Sequence, residues 1–206
     1  MGEIIKLKAI VKICLLLTFI SCRQSLKARR QFSQTGYCYT ANTNLETKLH
    51  HDGFYSFHDS SYAYSGHPAR MTLSNYRENY VFFDNHQLAI FSDNDKDYFV
   101  WGSYTIAGDT IKSLTFATPP NVTWGKKEIW FKILNRKELQ QIGLVWERKM
   151  THSDLESYQS MNSKKKSLSG HFIRSDNLPD PDKSWLKKRK WFWCDKKEYK
   201  RWKQDN

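Results

Sequence analysis

Tyr98-Phe99-Val100-Trp101-Gly102-Ser103-Tyr104-Thr105-Ile106, then Ala107-Gly108-Asp109, then Thr110-Ile111-Lys112-Ser113-Leu114-Thr115-Phe116: this stretch sets the fold class of the chain. Aromatic and β-branched residues dominate both arms, and such side chains suit a pleated, half-buried surface. Gly108 supplies the positive φ that a tight reversal needs, and Ile111 alternates with polar Thr110 and Lys112 on the return. The stretch therefore reads as two antiparallel strands joined by a short turn.

The same grammar extends in both directions. Upstream, Asp52-Gly53 precedes Phe54-Tyr55-Ser56-Phe57, and Tyr80-Val81-Phe82-Phe83 reaches Asp84-Asn85-His86 before Leu88-Ala89-Ile90-Phe91 returns. Downstream, Ile129-Trp130-Phe131-Lys132-Ile133-Leu134 turns at Asn135-Arg136-Lys137 into Leu139 to Trp146, while Pro119-Pro120-Asn121 forces a longer loop before it. About eight strands joined by short reversals make an antiparallel, up-and-down meander. Closure into a barrel removes the sticky edges that a lone aromatic sheet would expose. The expected fold is thus mainly β, a small closed barrel over 37–150, followed by a partly helical, basic and aromatic extension over 151–206. Alternation assigns Tyr55, Phe57, Val81, Phe83, Trp101, Tyr104, Ile106, Ile111, Phe131 and Ile133 to the interior, where they either fill the barrel or line a shallow apolar pocket.

The run from Trp101 to Ile111, with an aromatic hairpin whose return strand begins Glu138-Leu139, resembles the lipocalin-like domains of small bacterial envelope lipoproteins. The resemblance spans roughly residues 49 to 147. It implies a barrel that acts as a binding module.

The N-terminus agrees with that setting. Lys6, Lys8 and Lys12 lead into the apolar run Ile13 to Ile20, the shape of a secretory signal over residues 1–21, too short to span a bilayer. Phe19-Ile20-Ser21-Cys22 resembles the lipobox of bacterial lipoproteins, which makes Cys22 the expected acylated residue, bearing palmitate-like chains; the alternative is a plain signal cut near Ser21. Residues 22–36 read as a polar, basic tether, and its basic rather than acidic character points to a lipid-anchored, periplasm-facing protein of the outer membrane.

The chain has 206 residues and a net charge of +12, enough for one good core and a tail. From Lys164 onward fourteen Lys and Arg stand against six Asp and Glu, a local +8, so the barrel region is nearly neutral. With Cys14 in the leader and Cys22 assigned to acylation, Cys38 and Cys194 remain. An oxidising envelope favours a disulfide between them; two lone buried thiols are the alternative.

The extension holds two candidate features. Ser153 to Met161 reads as a short helix with Ser153 as cap and Glu156 as its capping-box partner. Trp185, Lys187, Lys188, Arg189, Lys190, Trp191, Trp193 and Trp202 form a basic, aromatic segment suited to membrane or partner contact. Written as one helix, it places Trp185, Phe192 and Tyr199 near a common face. The competing reading packs its tryptophans back onto the barrel and leaves the lysines wet. Compartment weighs against nucleic acid.

Catalytic and metal chemistry find little support. The chain has no Gly-x-Ser-x-Gly elbow, Cys/His site signature, phosphate-cradling loop or dinucleotide fingerprint, so no catalytic residue or cofactor is assigned. Adjacent His50 and His51 point to opposite faces of a strand, and convergence with His58 and His67 has no ligand spacing behind it; no metal is assigned. Asp93, Asp95 and Asp97 alternate as in a calcium loop but lack its glycine and closing glutamate, and read as a polar turn. The functional expectation is a lipid-anchored, non-catalytic binding module for a small apolar ligand. The alternative is an envelope structural or interaction protein whose tail meets anionic lipid or a protein partner.

Overall fold

The computed structural model describes residues 37–39, 48–65, 70–92, 95–116, 126–163 and 168–205. The leader, Cys22, the tether, His67, Asp93 and the Pro119-Pro120-Asn121 loop lie outside the described residues. Eight antiparallel strands close a barrel in sequence order: β1 (Gly53–Ser65), β2 (Arg70–Phe82), β3 (Gln87–Ser92), β4 (Asp95–Ala107), β5 (Thr110–Phe116), β6 (Lys126–Asn135), β7 (Glu138–Trp146) and β8 (Ser169–Arg174). The expected mainly-β, closed up-and-down barrel is the fold observed.

The turns follow from local chemistry. Ala107 pairs with Thr110 across Gly108-Asp109, and Gly108 sits at φ 61°. The β2–β3 reversal uses His86 at φ 65°, where Asn85 also accepts from the Gln87 amide through its side chain at 3.1 Å. Ser92 at the end of β3 pairs with Asp95 at the start of β4, so Asp95 and Asp97 of the carboxylate-rich run belong to a strand.

The eighth strand lies beyond the 37–150 boundary expected from sequence. β8 pairs Gly53 to Phe57 on one side and Glu138 to Gln140 on the other, and so completes the ring. It escaped the sequence reading because Ser169 to Arg174 has no turn signal tying it to β7; a helix intervenes. Gly170 belongs there for space: a Cβ would lie 2.2 Å from the Phe57 ring.

That helix, α1 (His152–Ser163), starts two residues earlier than expected. Thr151 and Asp154 make the capping pair in place of Ser153 and Glu156: the Asp154 carboxylate accepts from the Thr151 amide at 2.9 Å and from its hydroxyl at 2.6 Å. Arg148 adds a two-pronged ion pair to the same carboxylate, one arm at 2.6 Å. The arginine first, then Thr151, holds the Asp154 carboxyl well below the usual range.

Two apolar clusters divide the core. One draws on seven of the eight strands and fills the barrel, and its rings meet across it: Phe131 of β6 lies 5.2 Å from Phe57 of β1 and 5.1 Å from Tyr80 of β2. The other lies outside, where Val81, Ala89, Trp101, Leu114 and Phe116 from β2–β5, with Phe83 just past the end of β2, meet Tyr37, Tyr39, Leu186, Phe192 and Trp193. Val81, Phe83 and Trp101 therefore face outward, a correction to the expected interior set. Trp101 and Tyr104 are three residues apart and fall on opposite faces of a regular strand. In Tyr80-Val81-Phe82-Phe83 both faces are apolar because both are buried, so alternation gave no sign there.

The extension from Pro181 is not one helix. Three short 3-10 turns, Pro181–Lys183, Trp185–Lys188 and Lys190–Phe192, lead to α2 (Lys196–Asp205). A continuous helix would carry Phe192 and Trp193 away from the wall they fill. Among the described residues no helix is long and apolar enough to cross a membrane.

Candidate functional site: the barrel mouth

One end of the barrel is sealed. Leu49 is buried against the interior cluster, and Lys48 reaches the Gly108 carbonyl of the β4–β5 turn at 3.2 Å. Tyr55 donates to the Arg136 carbonyl of the β6–β7 turn at 2.7 Å, and the His51 ring bonds the Phe82 carbonyl at 2.8 Å. Above this plug, Tyr55, Tyr80, Phe82, Tyr104 and Phe131 occupy the middle edge to face. Phe82 lies 5.0 Å from Tyr104 and 5.9 Å from Phe131. The buried Tyr104 hydroxyl donates to the Phe83 carbonyl at 2.6 Å; burial, then the Asp84 charge, pushes its pKa upward.

The opposite end differs among the described residues. A half-open cavity of about 380 Å³ lies there, lined by Phe57, Glu78, Lys127, Gln141, Leu144, Trp146, Tyr158 and Leu168. Strand parity builds it: Phe57 and Glu78 lie on the same faces of β1 and β2 as Tyr55 and Tyr80, and Lys127 on that of Ile129 and Phe131. Helix α1 supplies Tyr158, which accepts from Gln141 at 2.7 Å, and the segment leading to β8 supplies Leu168. Trp146 stands at the rim, 57 % exposed.

Among the described residues of this largely apolar mouth sits one charge pair. Lys127 Nζ lies 2.8 Å from Glu78 Oε1, both side chains being mostly buried, and the Tyr80 hydroxyl donates to the other oxygen of Glu78. The ammonium also lies 5.5 Å from the Trp146 ring. Removing a carboxylate and an ammonium from water is costly, and apolar side chains of similar volume would stabilise the barrel as well or better. What the pair offers is a fixed dipole facing a cavity, able to orient the polar end of a bound molecule. Among the described residues of this lining no nucleophile and base stand together.

Of the expected interior residues, Phe57 alone lines the cavity. Tyr55, Tyr104, Ile111 and Phe131 fill the barrel beneath it, and Ile106 and Ile133 pack half-buried against the same cluster. Glu78, Lys127, Gln141, Tyr158 and Trp146 were not legible as site residues. The one available signal was the charged start Lys126-Lys127-Glu128, which alternation continues into inward-facing Ile129. Among the described residues no group of three His, Cys, Asp or Glu side chains gathers to hold a metal.

The extension forms a second built feature on the outer wall. Cys38 and Cys194 are joined by a disulfide, with Cα atoms 4.9 Å apart. Tyr39 and Trp193 form a parallel bridge beside it: Tyr39 N donates to Phe192 O at 2.7 Å, and Cys194 N to Tyr39 O at 2.9 Å. Lys187, 4 % exposed, pairs with Asp182 and lies 5.1 Å from the Tyr39 ring. Trp193 is buried and donates to the Lys187 carbonyl at 2.8 Å; Trp185, Trp191 and Trp202 are half-buried. Lys188, Arg189 and Lys190 are exposed. The packing alternative thus describes the tryptophans, with Lys188, Arg189 and Lys190 left wet, while Lys187, expected at a membrane or partner contact, is instead buried beneath the strap. Tyr37 anchors the strap through Glu128, which accepts from its hydroxyl at 3.0 Å and from Trp130 at 2.9 Å; burial, then the Glu128 charge, pushes the Tyr37 pKa upward.

No family model matches the chain, and neither a curated protein nor a solved structure matches it.

Proposed function

We propose that the protein is an exported, lipid-anchored and non-catalytic binding module of the bacterial envelope, whose barrel mouth holds a small, mainly apolar ligand. The observation that carries the binding half is the half-open cavity of about 380 Å³ over an aromatic-filled barrel. Its size sits at the small end of ligand pockets, and its character matches them: apolar walls with a few convergent polar groups. Phe57, Leu144, Trp146 and Leu168 offer the apolar contact, while Glu78 and Lys127 fix orientation. The anchoring half rests on the leader and on the lipobox-like Phe19-Ile20-Ser21-Cys22.

Protein purified from its native membrane, extracted with organic solvent and analysed by mass spectrometry, should release a stoichiometric small molecule. The emptied barrel should then bind a hydrophobic fluorophore, and Leu144→Trp, which fills the mouth, should weaken that binding. A barrel that yields no ligand and takes up no dye refutes the pocket. Labelled palmitate should attach to the parent chain and not to Cys22→Ala; equal labelling, or none in the parent, refutes the anchor.

A further inference from the structure

The strap of aromatic residues on the outer wall has a second face. Every lysine and arginine from Lys188 to Lys203 is exposed, eight cations against Asp195 and Glu198 in the same stretch. Asp195 is occupied at the start of α2, where its carboxylate accepts from the Lys197 amide at 2.7 Å. Tyr199 and Trp202 turn toward the wall: their rings lie 6.0 and 5.7 Å from Trp193 and 6.2 Å from each other. Helical spacing then sets Lys197, Lys200 and Arg201 on the opposite side, all exposed.

This arrangement separates two kinds of partner. Single-stranded nucleic acid is held by bases stacking on available aromatic faces between cations. Here the tail's rings are spent on one another and on the barrel, which leaves a spread of cations over a fixed support. Such a surface is complementary to a plane of anionic headgroups, where each Lys or Arg adds to attraction without needing a shaped pocket.

Connectivity points the same way. The Cys38–Cys194 disulfide and the Tyr39–Trp193 bridge fasten the extension to the point where the chain from Cys22 enters the described protein. Fourteen residues separate Cys22 from Tyr37, a reach of at most about 50 Å. A chain tethered at Cys22 therefore keeps this cationic face within a short distance of its anchor.

We propose that the exposed cationic face of the extension docks the protein on an anionic lipid surface, holding the β2–β5 wall toward the bilayer. The biological setting rests on the envelope reading, but the electrostatic contact does not need the acyl chain. The full chain carrying Cys22→Ser is therefore the probe, so that failure of acylation and failure of docking are read separately. It should co-sediment with phosphatidylcholine vesicles containing phosphatidylglycerol, not with phosphatidylcholine alone, and release as salt rises. Lys200→Gln with Arg201→Gln, both at exposed positions, should weaken binding about twenty-five-fold, two residues each contributing of the order of fivefold. An unchanged circular dichroism spectrum would show that the fold is intact. Equal binding to neutral vesicles, no loss in the double variant, or binding to a single-stranded oligonucleotide in place of vesicles overturns the proposal.

Discussion

Replacing Cys38 and Cys194 by serine together removes the one covalent link between the entry of the chain and its extension. The two cysteines are 156 residues apart, so the link closes most of the described protein into a loop. The chain-entropy relation gives about 5 kcal/mol at 25 °C for a loop of that length, as an upper figure, and removing native disulfides generally costs about 2–5 kcal/mol. For a chain of this size each kcal/mol corresponds to roughly 2–4 °C in Tm, which gives an expected fall of about 4–20 °C. The same change weakens the cover over Val81, Phe83, Trp101 and Phe116, so hydrophobic-dye binding should rise. Urea unfolding followed by tryptophan fluorescence is well placed to read this, since Trp101, Trp191 and Trp193 sit in or against the outer cluster. A double-serine protein within about 1 kcal/mol of the parent, with no new dye binding, would show that the disulfide does not hold the strap on the wall. Packing alone would then hold the strap, and the disulfide would be incidental to stability.

Other changes test other parts of the structure. Glu78→Gln should cost about 1–3 kcal/mol by leaving Lys127 unpaired in the mouth, below the 3–5 typical of fully buried pairs because the cavity is open. Adding Lys127→Met should restore most of it, and a urea series in which the double variant is no better than Glu78→Gln counts against the pair as described. Gly170→Ala drives a Cβ into the Phe57 ring and should cost about 1–3 kcal/mol. Gly143→Ala meets only the movable ends of Leu155 and Met150 and should cost less; the reverse ranking in thermal melts would argue against the register of β8. Alkali should unfold the protein steeply. Tyr37 and Tyr104 are held above the ordinary tyrosine range, by burial first and then by Glu128 and Asp84 respectively. Unfolded phenols ionise near pH 10 while these stay protonated, so the unfolded state binds fewer protons above that pH. Stability is fully present below about pH 10 and falls by about 1.4 kcal/mol per pH unit for each, roughly 3 for the two. Phenolate absorbance should rise together with loss of circular dichroism; ionisation of all tyrosines without unfolding would contradict their burial.

The fold class, the hairpin at Gly108-Asp109 and the reversal after Phe83 were legible from the residues alone, although the left-handed position of that reversal falls on His86 and not on Asp84 or Asn85. These are local events: a positive φ favours a few residue types, and strand propensity is written in aromatic and β-branched runs. The sequence also named the two cysteines that pair, by elimination and compartment. Alternation placed Tyr55, Phe57, Tyr104, Ile111 and Phe131 inside the barrel, but only the folded chain set the inward face at Tyr80 to Phe83 and at Trp101. Tyr80 to Phe83 is apolar on both sides because the extension buries the outer wall, and that cover lies about a hundred residues away in the chain. Separation along the chain also hid β8, whose partners are β1 and β7, and placed Glu78 beside Lys127, which lie 49 residues apart and meet across the barrel from β2 and β6. Backbone propensity acts over a few residues, whereas burial and ion pairing answer to neighbours that only chain closure brings together.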